Sequence, residues 1–530
     1  MAETVQQVLR ERLEDDQPGV LSGDRVWSWR EHLAEARAEA AAIMARLDRD
    51  RPAHVGTLLG NNPHMLRALA GAGLAGYVLA GINSTRRGAG LVGDIHRADV
   101  QVLLVDDEHR ELLADLDLGD VQVVEIESEQ WAQEVASAGP FAPLRETGAM
   151  DPFMLIFTSG TSGDPKAVQV GNLMAVFAGL MLADKYAVGT ADVCYLSMPL
   201  FHSNAILGGW SVAINSGAAM VPTKFSASRF VDDLRHYGVT YMNYVGKPLA
   251  YILATPERPD DADVPLRVAF GNEASDRDIE EFSRRFDCIV WDGYGSTETA
   301  VMVTREEGTP KGSIGKGAEG VAVYNSRTVT ECAPAEFDAN GVLLNPEEAI
   351  GELVNTQGAG YFVGYYNNEQ ANAERMRHGM YWSGDLAYKD KDGWVYLAGR
   401  TADWMRVDGE NLAAAPIERI LMRLEPLSRV AVYAVPDEHV GDQVMAAIVL
   451  RDGVTLTPAE LEEFLAAQPD LSPKAWPRYV RIAPDLPSTA TNKVLKRELI
   501  KQGPVAGDGV LWVREERGRS YAEVGEAAAV

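Results

Sequence analysis

Five apolar residues, Phe153-Met154-Leu155-Ile156-Phe157, run directly into Thr158-Ser159-Gly160-Thr161-Ser162-Gly163-Asp164-Pro165-Lys166. The apolar part reads as a buried strand. In the turn that follows, glycines let backbone N–H groups approach an anion, hydroxyls donate further hydrogen bonds, and Lys166 adds a point charge. That composition suits a polyphosphate. It is not a Walker A loop, because Pro165 stands where the second glycine should be. The same composition also suits a plain surface turn, and stretches further along the chain decide between the two.

Those stretches repeat one arrangement. Residues 29–47 carry apolar residues at helical spacing. Met65 to Leu74 reads as a helix, and Tyr77-Val78-Leu79 and Val100 to Val105 read as strands. This alternation predicts an α/β fold with mostly parallel sheets covered by helices. At 530 residues the chain exceeds one core, so at least two domains are expected. The run Ala68 to Thr85 is uncharged, but its four glycines and Asn-Ser-Thr end predict a buried helix, a turn and a strand rather than a membrane span.

Strand ends carry the chemistry. Val193 to Leu196 leads to Met198-Pro199-Leu200-Phe201-His202, where a lone histidine reads first as a loop residue satisfying backbone groups. Leu266 to Phe270 leads to Gly271-Asn272-Glu273-Ala274. Ile289-Val290-Trp291 leads to Asp292-Gly293-Tyr294-Gly295-Ser296-Thr297-Glu298-Thr299. Loops at strand ends hold ligands in open α/β sheets. Tyr294 can stack on a planar ring, Thr297 can donate to phosphate, and Glu298 can hold Mg2+; a solvated acid in a hairpin-like turn is the plainer reading. Tyr381-Trp382-Ser383-Gly384-Asp385 and Gly399-Arg400 bracket a hairpin turning at Asp390 to Gly393. Asp385 can accept from vicinal hydroxyls, with Arg400 a cation beside it. Gly315-Lys316-Gly317-Ala318-Glu319-Gly320 fits a dinucleotide fingerprint by letter only, since no clear strand precedes it and no amphipathic helix follows.

After Arg400 the pattern becomes a small α+β unit: helices at Pro416 to Leu424 and Pro458 to Ala467, and strands at Arg429 to Val435 and Met445 to Leu450. A polar loop, Pro487 to Lys493, leads into a short helix. From about Gly503 periodicity fades, predicting a loose tail. The formal charge of −28, without a basic tract, makes nucleic acid and anionic membrane poor partners. Cys194, Cys288 and Cys332 lie far apart, which argues against a zinc site or a disulfide framework and fits a reducing cytoplasm. No signal peptide is evident at the N-terminus, and no Gly-x-Ser-x-Gly elbow supports a serine hydrolase.

Together these segments resemble the adenylate-forming superfamily of acyl-CoA synthetases, peptide-synthetase adenylation domains and luciferases. Trp27 to Leu499 is covered, with the motifs in the family's order. Gly271 to Ser275 and Trp404 to Asn411 are most similar to actinobacterial fatty-acyl or steroid-side-chain CoA ligases. The resemblance implies a large N-terminal adenylation domain over 1–399, a hinge at 400–402, a small mobile α+β domain over 403–505 and a tail over 506–530. It implies that a carboxylic acid attacks the α-phosphate of Mg·ATP to give acyl-AMP and pyrophosphate, and that CoA then displaces AMP. Thr158, Ser159, Gly160, Thr161, Ser162, Gly163 and Lys166 would hold the β/γ-phosphates. Tyr294 would stack on adenine beside Gly271, Asn272, Glu273, Asp292 and Gly295. Thr297 would meet the α-phosphate, Glu298 Mg2+, and Asp385 and Arg400 the ribose. Lys493 would bridge carboxylate and α-phosphate, His202 would sit at the mouth of the acyl pocket, and Gly409 would line the pantetheine tunnel. Pocket walls would include Tyr241 to Lys247 and Ala205 to Trp210.

Four residues depart from the family pattern. Ala402 stands at the hinge, Asn492 before the lysine, Ala167 after Lys166, and Asp408 beside the CoA tunnel. Asparagine tolerates a left-handed backbone, so the turn before Lys493 can survive. Two other readings remain open. One is an adenylating enzyme that uses a carrier-protein thiol or an amine as acceptor, or activates an oxyanion such as nitrite. The other is a non-catalytic nucleotide-binding protein, against which Lys166, Glu298, Asp385, Arg400 and Lys493 speak together. A homodimer is compatible with the sequence.

Overall fold

The computed structural model describes residues 2–158, 165–246, 248–339, 341, 343–400, 404–407, 410–437, 441–488, 494–514 and 518–524. They divide into two compact units, one of residues 1–300 with 359–374 and one of 301–358 with 375–530.

The first unit is α/β, as the alternation predicts. One sheet of six strands contains Gln122–Glu125, Val102–Val105, His54–Leu58, Val78–Gly81, Pro152–Thr158 and Lys166–Gly171, in that order across the sheet. All its pairs are parallel except the last. Phe153 to Phe157 are all buried, because this strand lies inside the sheet with side chains covered on both faces. The second sheet has seven strands, with Ile289–Asp292, Val268–Asn272, Tyr241–Val245, Val193–Leu196 and Ala219–Pro222 all parallel.

Local chemistry sets the helices. Trp29–Arg46 starts with a capping box between Ser28 and Glu31. Pro63–Ala75 starts on an Asn62 cap with proline in its first turn, and stops where Gly76 turns left-handed at φ 82°. The uncharged run is therefore a buried helix, a turn and the strand Val78–Gly81. Among the described residues no helix is long and apolar enough to cross a membrane.

The second unit holds two sheets. The eight-stranded one contains the hairpin Met380–Lys389 and Trp394–Arg400. The strands are longer than expected, so Tyr381 to Asp385 and Gly399-Arg400 lie within the hairpin rather than flanking it. Gly315–Gly317 is a strand here, paired with Val303–Thr304, and no helix follows it, so the dinucleotide fingerprint is excluded. The other sheet, covered by Ala414–Leu421 and Pro458–Ala466, is the expected small α+β unit. One expectation is corrected. Val510–Arg514 and Tyr521–Val524 are not loose but extend this sheet as an antiparallel pair. Leu511, Trp512 and Tyr521 are buried, and the Tyr521 hydroxyl donates to Pro477 O at 2.6 Å. A five-residue strand with one indole in the core shows too little periodicity to be seen in the sequence.

Candidate active site

Parallel strands of the seven-stranded sheet all end on one side, and their loops gather there. The strand after Leu266 ends two residues later than expected, so Gly271 and Asn272 are its last residues rather than a loop. Gly271 pairs with Tyr244, and a Cβ at that position would fall 2.2 Å from Tyr244 O, so no other residue fits. Glu273 then turns left-handed at φ 67°. Asp292 holds this corner: its Oδ2 accepts from Ala274 N and from the Tyr244 hydroxyl, each at 3.0 Å.

A polar chain links the neighbouring loops. Ser203 Oγ and Thr297 Oγ1 share a hydrogen bond of 2.9 Å. Asn204 donates to Asn272 Oδ1 at 3.4 Å and accepts from Asn243 Nδ2 at 2.7 Å. Residues 206–210 form a π-helical turn, a distortion frequent at functional sites. Its Gly208 carbonyl accepts from the Tyr241 hydroxyl at 2.7 Å. Among the described residues, His202 Nε2 and Asn243 Oδ1 are buried beside this chain with no hydrogen-bond partner. Burial pushes the His202 imidazole down to about 4, so it is neutral at neutral pH. Among the described residues Nε2 has no hydrogen-bond partner, so this nitrogen does not satisfy a backbone group as the loop-histidine reading expects.

Glu298 is not the solvated acid of a hairpin turn. It is 8% exposed, and its Oε1 accepts from the Tyr365 hydroxyl at 2.7 Å. Lys166 Nζ lies 5.3 Å from the centre of the Tyr365 ring and 3.6 Å from Glu374 Oε2. Tyr365 thus joins Lys166 to Glu298. Thr158 pairs with Lys166 in register, so these two form the neck of the loop between them. Ala167 continues that strand, buried, with its carbonyl accepting from Tyr366 N at 2.8 Å. Sequence reasoning passed over Tyr365, gave Ser203 and Asn204 no role, and took Asn243 only as part of a pocket wall. Tandem tyrosines after Gly364, and an asparagine inside the apolar strand Tyr241–Val245, were the available signals.

The first unit therefore brings together Thr158, Lys166, His202, Gly271, Asn272, Glu273, Asp292, Tyr294, Gly295, Thr297 and Glu298. In the second unit Asp385, 9% exposed, pairs across the hairpin with Arg400. Ser159, Gly160, Thr161, Ser162, Gly163, Lys247, the Thr401-Ala402 hinge, Asp408, Gly409, Asn492 and Lys493 lie outside the described residues. Among the described residues no group of three or more His, Cys, Asp or Glu could hold a metal. A buried carboxylate joined through Tyr365 to Lys166 still fits Mg2+, which usually takes one or two carboxylates plus phosphate oxygens.

Comparison with known proteins shows the family and the fold. The family model for AMP-binding enzymes matches residues 9–366, and that for the AMP-binding enzyme C-terminal domain matches 416–493. The medium/long-chain-fatty-acid–CoA ligase FadD17 of Mycobacterium tuberculosis is 49% identical over 513 residues, covering 96% of this chain and 99% of its own. The steroid-22-oyl-CoA synthetase of Rhodococcus jostii is 45% identical over 517 residues, covering 96% and 93%. ATP-bound MatB from Rhodopseudomonas palustris superposes with a TM-score of 0.83 at 21% identity, covering 95% and 99%. The anthranilate CoA ligase AuaEII in complex with anthranoyl-AMP gives 0.82 at 18%, covering 95% and 98%.

Proposed function

The chain belongs to the AMP-binding enzyme family, and from that membership we propose that it is an ATP-dependent, AMP-forming ligase that joins a medium- or long-chain carboxylic acid to CoA. The observation that carries this reading is the buried Glu298, held by Tyr365 beside Lys166. A buried carboxylate tied through one tyrosine to a lysine is arranged for a polyphosphate with its counter-cation.

In the first half-reaction a carboxylate oxygen of the acid bonds to the α-phosphorus of ATP. The bond to the bridging oxygen breaks, and pyrophosphate leaves with that electron pair. Both attack and departure build negative charge, so placed donors and cations lower the barrier. Lys166 and the Thr158 loop would steady the β- and γ-phosphates. Thr297, positioned by Ser203, would donate to the α-phosphate. Glu298 would hold Mg2+, which when bound screens the phosphate charge. Tyr294 would cover the adenine, with Gly271 leaving room beside it, and Asp385 with Arg400 would take the ribose hydroxyls. His202, neutral at neutral pH, can meet the acid without placing a second cation beside the carboxylate.

In the second half-reaction the CoA sulfur bonds to the acyl carbon and AMP departs. Residues 403–505 would act as the mobile small domain about a hinge at 400–402, bringing Lys493 for the first step and Gly409 for the second. Replacing Gly409 by leucine should spare acyl-AMP formation and slow thioester formation about a hundredfold, because a side chain would displace the thiol arm. Single-turnover assays of the two steps check this, and equal loss in both would remove the tunnel role.

Pyrophosphate release over a panel of acids, with and without CoA, tests the whole reading. Release with medium- or long-chain acids, and acyl-CoA formed only when CoA is present, is the expected result. Pyrophosphate release indifferent to CoA, with no thioester, would point to another acceptor. No ATP turnover with any acid would leave only nucleotide binding.

A further inference from the structure

Asn61 stands just past the strand His54–Leu58 of the six-stranded sheet, yet its side chain serves the other sheet. Its Nδ2 donates to Leu196 O at 2.8 Å and to Met198 O at 2.7 Å. Its Oδ1 accepts from Leu200 N at 3.1 Å. Two carbonyls at one end of the amide and an N–H at the other fix its orientation, since a flipped amide would oppose all three groups. One side chain thus clamps three backbone groups of the segment that leaves the strand Val193–Leu196. That segment runs on through Phe201 to His202 and to Ser203, which bonds Thr297.

Asn61 is itself held on both sides. Gly60 N donates to Asp106 Oδ2 at 2.8 Å, and Asn62 Nδ2 donates to the same oxygen at 3.0 Å. Asp106 is buried just past Val102–Val105, the strand beside His54–Leu58, and its other oxygen accepts from His109 N at 3.1 Å. Asn62 Oδ1 accepts from Met65 N at 3.0 Å and caps the helix Pro63–Ala75. A helix start and a neighbouring strand end therefore brace the clamp, and side chains mounted on such elements hold position best.

The clamped loop is also seated from below. Gly81 ends the strand Val78–Gly81, and a Cβ there would fall 3.0 Å from Phe201 Cα, so only glycine lets the loop lie this close. Within the loop, His202 N donates to Pro199 O at 3.0 Å. Backbone groups of a partly buried loop need partners, and here Asn61 supplies three of them from a different sheet.

We infer that Asn61 is a positioning residue of the ligase reaction, which sets where His202 meets the acid and where Ser203 holds Thr297. This rests on the ligase reading above. Asn61 acts through the loop and not on the reacting atoms. A shift of about 1 Å in groups that place a substrate can lower a rate about a hundredfold, so a loosened loop should be visible in the kinetics.

The test follows acyl-AMP formation from hexadecanoic acid and ATP in the full-length enzyme, with Asn62→Ala as the control. Both variants take an amide from the same turn, and Asn62→Ala also loses a helix cap, so both should melt earlier. Asn61→Ala should raise the KM for the acid about tenfold and lower kcat about tenfold, with ATP affinity measured by calorimetry without acid kept within about twofold. Asn62→Ala should keep the acid KM and kcat within about twofold, because a lost cap is a cost to stability alone. Asn61→Ser, a milder change, carries the same comparison if Asn61→Ala does not fold. With His202→Ala already in place, Asn61→Ala should raise the acid KM no further, since coupled groups do not add. An acid KM that is unchanged in the Asn61 variant, raised equally in Asn62→Ala, or raised further on top of His202→Ala overturns the positioning role and leaves the ligase reading intact. No acyl-AMP from the wild type with any medium- or long-chain acid overturns both.

Discussion

Lys493→Ala should slow acyl-AMP formation about a hundredfold to a thousandfold, while pre-made acyl-AMP still reacts with CoA near the wild-type rate. That range is what one well-placed electrostatic donor contributes when charge develops on oxygen. Lys493 itself lies outside the described residues, but the surrounding frame is clear. Ser488 bridges to Val494, and Leu495 N donates to Pro487 O at 2.7 Å, closing the loop 489–493 at its base. The other lysine in reach along the sequence is Lys496, in the helix that follows. Its Nζ lies 2.9 Å from Glu418 Oε1, which also accepts from Val432 N at 2.7 Å. Lys496 is therefore engaged in holding its helix to the helix Ala414–Leu421. Lys496→Ala should cost about 1 kcal/mol of stability by removing one of the two partners of Glu418, without separating the two half-reactions. ATP–pyrophosphate exchange and a denaturant melt on both variants distinguish the roles. Normal acyl-AMP formation in Lys493→Ala would remove its assignment.

The strands were legible because burial on both faces leaves a continuous apolar run, as in Phe153 to Phe157, and because Gly/Ser/Thr turns follow at their ends. Helix starts were legible for the same local reason, a cap such as Asn62 before Pro63. Pairings made across long stretches of chain were not. Tyr365 meets Glu298 across 67 residues of sequence separation, and no local pattern announces such a partner. Asn243 was read as part of the acyl-pocket wall, and its hydrogen bond to Asn204, 39 residues away in sequence, has no local signature either. His202 was read from its loop position. Its burial, which decides its protonation, depends on elements packed around it from elsewhere. The C-terminal strands escaped notice because Trp512 and Tyr521 each contribute one buried ring to a core built mostly by residues 405–480.

Glu298→Gln should reduce adenylation about a hundredfold and flatten its dependence on Mg2+ concentration, since a neutral amide replaces the one buried carboxylate of the turn. Tyr365 is a positioning residue in this account. Its hydroxyl donates a charge-assisted hydrogen bond to a carboxylate that is nearly out of water, a contact worth about 1.5–3 kcal/mol. Tyr365→Phe should therefore lower adenylation about tenfold to a hundredfold and raise the Mg2+ concentration needed for half-maximal rate. The ring stays, so the contact with Lys166 is kept and the change reports on the hydroxyl alone. If the hydroxyl acts through Glu298, the double variant should be no worse than Glu298→Gln, because coupled groups do not add. Calorimetric ATP binding, with and without Mg2+, gives a readout independent of turnover. In Tyr365→Phe the gain in ATP affinity on adding Mg2+ should shrink, whereas affinity without the metal should hold. A variant that melts earlier but keeps the full Mg2+ response would show that Tyr365 only packs the core, and Glu298 would then need another group to hold it.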